Sequence, residues 1–307
     1  MTPTRNRGLA LAVGTAVISG VAIWVNSSGV AAYGNATAYT TAKNVAAALV
    51  IAAIFFAARR ARGAGAVSLT RPARARQWWG LAYVAILGGA VPFVLFFNGL
   101  ASTASTQAAF LHKTLIVWVA LLAIPLLKER LTLWHGGAIV LLLLGQLGLA
   151  GAVSLAPDLG IVMIGAATLM WAVEVIATKR LLVGVTPWTV SLVRMGGGSV
   201  ALLAWAAATG ALGGVMPRTS AQWGWVLLTG LLLAGYVLTC HQALWRAPAV
   251  DVTAVLVLGA IITAVLAGVF DGAPVAAKAP WLALLAAGGL LVWLAPRAAP
   301  IGRRAVT

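Results

Sequence analysis

Ten apolar stretches, most of them near the length of one membrane crossing, fill almost the whole chain and leave nothing for a water-soluble core. They run over 8–26, 37–58, 78–98, 105–126, 132–152, 160–182, 188–210, 222–244, 250–270 and 281–296. About 20 residues of helix cross roughly 30 Å of hydrocarbon. Lipid offers the backbone no hydrogen-bond partners, so each stretch must satisfy its own peptide groups as a helix. Only 8% of the 307 residues are charged and 62% are hydrophobic, whereas soluble domains carry about 25% charged residues. The sequence predicts an all-α integral membrane protein with ten transmembrane helices.

The formal charge of +16 reports orientation before it reports a partner. Of 21 Lys and Arg, sixteen fall at every second gap: Arg5, Arg7, Arg59, Arg60, Arg62, Arg71, Arg74, Arg76, Lys128, Arg130, Lys179, Arg180, Arg246, Arg297, Arg303 and Arg304. Only Arg218 and Lys278 fall in the other gaps, and Lys43, Lys113 and Arg194 fall inside spans. Cytoplasmic loops retain Lys and Arg. Both termini are therefore expected in the cytoplasm and the chain in the cell inner membrane. The basic residues are scattered over short loops with no interleaved aromatics, which excludes a nucleic-acid surface. The Arg-rich 59–77, with Pro72, is expected to be a flexible loop. The first stretch is longer than a secretory signal core and is counted as a helix. The single cysteine, Cys240, lies within a span, so no intrachain disulfide forms.

The chain repeats itself. GTAVISGVAIW from Gly14 matches GAATLMWAVEV from Gly165, and at the same offset Lys43 falls on Arg194. At a slightly smaller offset QWW from Gln77 matches QWG from Gln222, and STQAAFL from Ser105 matches VDVTAVL from Val250. The order and near-constant spacing indicate duplication, with halves 1–152 and 153–307. Five spans per half is an odd number, so the halves must insert with opposite orientation, as inverted repeats do in many secondary transporters.

The two five-helix halves and the segment LLKERLTLWHGGAIVLLLLGQLGL at 126–149 resemble the drug/metabolite transporter superfamily, and within it the EamA-type members. Glu129, Thr132, Gly136, Gly137 and Gly145 occupy that pattern, as do the basic residues Lys43 and Arg194 in the second helix of each half. The resemblance covers residues 8–296. Three departures stand out: Ile116 where a proline is common, Asp271 where the second half would carry its Glu, and the pair His112–Lys113. The resemblance implies alternating access around a cavity lined by segments 1, 3, 4, 6, 8 and 9. It also implies export of a small polar metabolite such as an amino acid or related compound.

A charge within a span is costly unless it meets water, a partner or a substrate. Lys113 is therefore expected to bind an anionic substrate group or to give up a proton, with neighbouring His112 facing either the site or another helix. Glu174, the only acid well inside a span, is expected to pair with Lys113 or carry a coupling proton; otherwise it pairs with Lys179 or Arg180. Lys43 and Arg194 are expected to snorkel or to bond a facing helix end. Glu129 and Asp271 close matching helices and are expected to be structural or gating, each against the positive N-terminal end of the next helix. Asn26, Asn98, Gln107, His241 and Gln242 are candidates for interhelical hydrogen bonds, and Asn98 also for substrate contact. Trp24, Tyr33 and Trp171 are candidates for a cavity wall. The glycine faces at Gly136, Gly137, Gly145, Gly148, Gly288 and Gly289 suit either packing within the chain or a homodimer seam. With no GxxxxGK[ST], no HExxH and no Cys cluster, no nucleotide, metal or other cofactor is expected. The rival reading, a membrane enzyme acting on a lipid-linked substrate, calls for clustered acids; the five acids are dispersed.

Overall fold

The computed structural model describes residues 3–63, 67–103, 105–151 and 158–296. Ten helices are long and apolar enough to cross a membrane: α1 (Thr4–Tyr33), α2 (Ala36–Arg62), α3 (Ala75–Ser102), α4 (Gln107–Leu127), α5 (Leu133–Ala150), α6 (Leu159–Leu181), α7 (Pro187–Ala208), α8 (Ser220–Arg246), α9 (Ala249–Phe270) and α10 (Ala276–Leu294). Each expected span has its helix, and there is no strand among the described residues. The expected division at 152–153 falls outside them.

Polar caps set several starts. The Asn35 side chain accepts from Ala38 N, Asp158 from Ile161 N, Thr186 from Thr189 N and Thr219 from Gln222 N, each satisfying one of the orphan donors at a helix start. The sequence reading ended the first span at 26, but α1 continues to Tyr33. Asn26 and Ser27, which looked like a terminus, donate back to Ala22 O and Trp24 O. A polar side chain that bonds the preceding turn can remain inside a helix.

The largest helix contacts keep their pattern when the two halves are exchanged. α1 packs on α8 as α6 packs on α3; α2 packs on α8 as α7 packs on α3; α1 meets α9 as α6 meets α4; α2–α7 and α5–α10 pair each helix with its own counterpart. Local detail repeats too. Gln77 Oε1 accepts from Ala73 N at 2.8 Å, and Gln222 Oε1 accepts from Arg218 N at 2.8 Å, the same four-residue reach. The fourth helix of each half is interrupted at the matching place: Ser105–Lys113 gives way to Leu115–Leu127, and Ala249–Leu256 to Gly259–Phe270. The third helices differ. α3 contains a π turn at Val84–Gly88, while α8 runs unbroken.

Glycines let α5 and α10 approach closely. A Cβ at Gly145 would meet Leu285, one at Gly148 would meet Trp281, and one at Gly288 would meet Leu142. These three glycines serve packing within the chain, while Gly136 is exposed and meets nothing within 4 Å. The Arg-rich loop departs from expectation in its second part. Val67 is buried, Thr70 N donates to Thr189 Oγ1, and Thr186 Oγ1 donates to Ser68 O. Hydrogen bonds to the first turn of α7 hold 67–70 in place.

Candidate functional site

A cavity of about 170 Å³ lies between the halves, walled by one face each of several helices. On α1 the lining residues are Ser19, Ala22, Ile23 and Asn26; on α6 they are Trp171, Glu174, Val175 and Thr178. Both sets have the three- and four-residue spacing of a single helical stripe. α3 adds Phe93, Phe96 and Phe97, α4 adds His112 and Leu115, and α8 adds a stripe from Thr229 to Leu244. α2 and α7 each contribute a cation, Lys43 and Arg194.

The two cations have different surroundings. Arg194 Nε donates to Glu174 Oε1, and Nη2 donates to Glu174 Oε2 at 3.1 Å. This is a two-pronged guanidinium–carboxylate pair, the strong form of such bonds. Nη2 also reaches Gly88 O at 3.3 Å, and Trp171 Nε1 donates to the same carbonyl at 3.2 Å. Gly88 closes the π turn, where the regular helical bonding pattern is broken and a carbonyl is left for side chains. A Cβ at Gly88 would collide with the Glu174 side chain, so the close approach of α3 to α6 needs glycine there.

Lys43 is 4% exposed and has no carboxylate. Its ammonium donates to Asn26 Oδ1 at 3.1 Å and stands 3.8 Å from the centre of the Phe97 ring, within cation–π range. Asn26 Oδ1 also accepts from Tyr39 Oη at 2.8 Å. His112 packs its ring against Trp171 and Phe96, with centroids 5.0 and 5.3 Å apart, and its buried Nδ1 has no hydrogen-bond partner.

Lys113 points elsewhere. It lines a side chamber of about 20 Å³ with Thr253, Leu256 and Val257 of α9, room for about one water. Ser19, His112, Leu115 and Tyr236 line both spaces. The expected Lys113–Glu174 pair does not form, because Glu174 is held by Arg194. Nor does Glu174 pair with the helix-end cations: Lys179 Nζ donates to Leu244 O and Ala247 O, and Arg180 Nη2 to Leu126 O. Lys43 and Arg194 do not snorkel; they are buried and face the cavity. α9, expected as a wall of the cavity, reaches only its side chamber. Asn98 bonds back to Val94 O and is not among the lining residues. Trp24 is also outside the cavity; its indole donates to Asp271 Oδ2 at 2.8 Å. His241 lines the cavity and meets Ser191 Oγ at 2.8 Å.

A separate polar network ties one end of the bundle. Asp251, 1% exposed, accepts from Arg5 Nε at 2.8 Å and from His135 Nε2 at 3.0 Å. Arg5 Nη2 continues to Val292 O of α10, and His135 Nδ1 is met by Thr132 Oγ1. Arg5, counted from sequence as a loop charge, is thus a buried strut. Glu129 accepts from Ala249 N at 2.7 Å and Val250 N at 3.2 Å. It therefore caps α9 and not, as expected, the helix that follows it. Burial raises the Glu129 carboxyl above its ordinary range, opposed by these two backbone donors. Asp271, its counterpart, is exposed and takes only the Trp24 indole. Sequence reasoning missed Asp251: it sits in the first turn of a helix beside a basic loop, where an acid reads as a solvated end.

Ten membrane-length helices in two five-helix repeats, with buried charges at a central cavity, have the build of a secondary transporter. The model of the EamA-like transporter family matches residues 6–151 and again 158–295, and the chain belongs to that family. It is thus a multi-pass membrane protein of the drug/metabolite transporter type, which speaks against the lipid-linked enzyme reading. No curated protein matches it. Among solved structures, one described only as "Crystal structure of protein" is similar in fold, with a TM-score of 0.70 at 19% identity, covering 92% of this chain and 96% of that one.

Proposed function

We propose that the chain is a secondary active transporter that moves a small polar metabolite, such as an amino acid or related compound, outward across the cell inner membrane by alternating access. A proton is the proposed coupling ion. The observation that carries this reading is the cavity between the repeats, which holds the one buried Arg–Glu pair among the described residues and a buried lysine with no carboxylate. Charge of this kind inside a membrane bundle marks a substrate or ion pathway. The basic residues favour a cytoplasmic location for the end tied by Asp251 and Glu129. The tied network supports a conformation closed at that end.

The test is metabolite profiling of cells overproducing the chain, followed by counterflow of the enriched compounds in proteoliposomes. Wild type should enrich at least one compound in the medium and exchange it. Ala22→Trp, which fills the cavity, should abolish both while the protein stays in the membrane. Unchanged export by folded Ala22→Trp overturns the cavity as the route. A fusion reporter at 185 or 247 reading external would overturn the orientation.

A further inference from the structure

We infer that the substrate is an organic anion: a carboxylate held by Lys43, carrying no ammonium group, with an apolar body against the aromatic wall. This rests on the cavity being the substrate route. It narrows the class by counting what each charge already holds.

The chain has five acids, Glu129, Asp158, Glu174, Asp251 and Asp271. Asp158 caps its own helix, Glu129 caps α9, Asp251 holds Arg5 and His135, and Asp271 takes an indole. Only Glu174 lines the cavity, and both its oxygens are bound by Arg194. A substrate ammonium entering this space therefore finds no free carboxylate. It would also approach a wall whose uncompensated charge is positive.

Lys43 presents the opposite situation. An ammonium has three donors, and Lys43 spends one on Asn26 Oδ1. That oxygen is shared with Tyr39 Oη, and the remaining neighbours of Lys43 are the faces of Phe97, Tyr39 and Phe93. Aromatic faces hold a cation without taking its N–H groups, so two of them remain for an anion, whose own charge favours the ammonium form. Lys113, in the adjoining chamber, has no carboxylate either and adds to a positive field. Among buried side chains, attraction between unlike charges is several times stronger than in water. The rest of the lining selects the body of the substrate. Phe96, Phe97 and Trp171 offer flat apolar surfaces. Arg194 is a poorer partner for the anion, because Glu174 supplies its counter-charge and Glu174, Gly88 O and Met195 Sδ take four of its five N–H groups.

The test uses purified full-length protein in detergent and calorimetric titration with probes of one skeleton: phenylpropionate, phenylpropanamide, phenylalanine and phenethylamine. Phenylpropionate should bind about tenfold or more tightly than each of the others, the margin of one charge-assisted hydrogen bond. Lys43→Gln should remove that margin and Lys43→Arg should retain most of it. Size-exclusion profiles show whether each variant is folded, and the wild-type series stands without them. Ala22→Trp separates the two readings. If phenylalanine or phenethylamine binds as tightly as phenylpropionate and Ala22→Trp removes that binding, the anion inference fails while the cavity route stands. If Ala22→Trp leaves probe binding unchanged, the cavity route fails. Absence of phenylpropionate binding at millimolar concentration overturns the inference outright.

Discussion

Lys43 and Arg194 are the eighth residues of the second helices of the two repeats, and both line the same cavity. Duplication placed two cations in matching positions, yet only one has a counter-ion. The first-half position that matches Glu174 in the repeat alignment is Ile23, which also lines the cavity. The second difference is the π turn of α3, whose Gly88 carbonyl binds Arg194 and Trp171; α8 has no such turn beside Lys43. One cation is thus locked into the scaffold by a carboxylate, and the other has none. The lesson is that a duplicated fold supplies paired positions, while a single acid on one side decides which of the pair is structural.

The largest effect expected from this asymmetry is at Arg194. Arg194→Met strands Glu174 as a buried unpaired carboxylate, a loss of about 3–5 kcal/mol for a broken buried pair. Folded yield should collapse in a fluorescence size-exclusion assay. Adding Glu174→Gln should restore much of the yield, and failure to do so would remove the pair from the account. Next, Ile23→Glu copies the second-half arrangement into the first. It should hand Lys43 a carboxylate and weaken phenylpropionate binding about tenfold with folded yield kept; unchanged affinity would mean that Lys43 does not meet the ligand. Lys113→Ala should matter less, weakening the same binding about threefold through the field alone. A loss as large as that of Lys43→Gln would move the carboxylate site into the side chamber. The smallest effects compare the two end acids. Glu129→Ala removes the cap of α9 and should cost about 1 kcal/mol in a denaturant titration, whereas Asp271→Ala, at an exposed position, should cost about 0–0.5 kcal/mol. Equal costs would show that Asp271 also stabilises the fold.

Much of the architecture was legible because the bilayer imposes simple rules. Spans, their number and their duplication follow from apolar length and from matches such as Gln77 with Gln222, which the structure shows as the same capping bond. The candidate site was legible only in part. Glu174, His112 and Trp171 were expected to contribute to it and do line the cavity. Their partners were misassigned, since the direction a side chain takes from a helix depends on which helix lies beside it. Lys43 and Arg194 were expected to snorkel or to bond a facing helix end, because depth along a helix is visible in a sequence while the facing element is not. Asn98 and Trp24 have the polarity and size expected of a site but sit on the wrong faces of their helices.

The sequence by itself determined the number of spans, the doubling of a five-helix unit and the scarcity of acids, because these depend on one-dimensional quantities: apolar length, spacing and count. Only the tertiary structure decided which cation is neutralised. That choice turns on the π turn of α3 bringing Gly88 against Glu174 while α7 delivers Arg194 to the same point. An ion pair inside a membrane is set by distances of a few ångströms between helices far apart in the chain, and such distances are properties of packing.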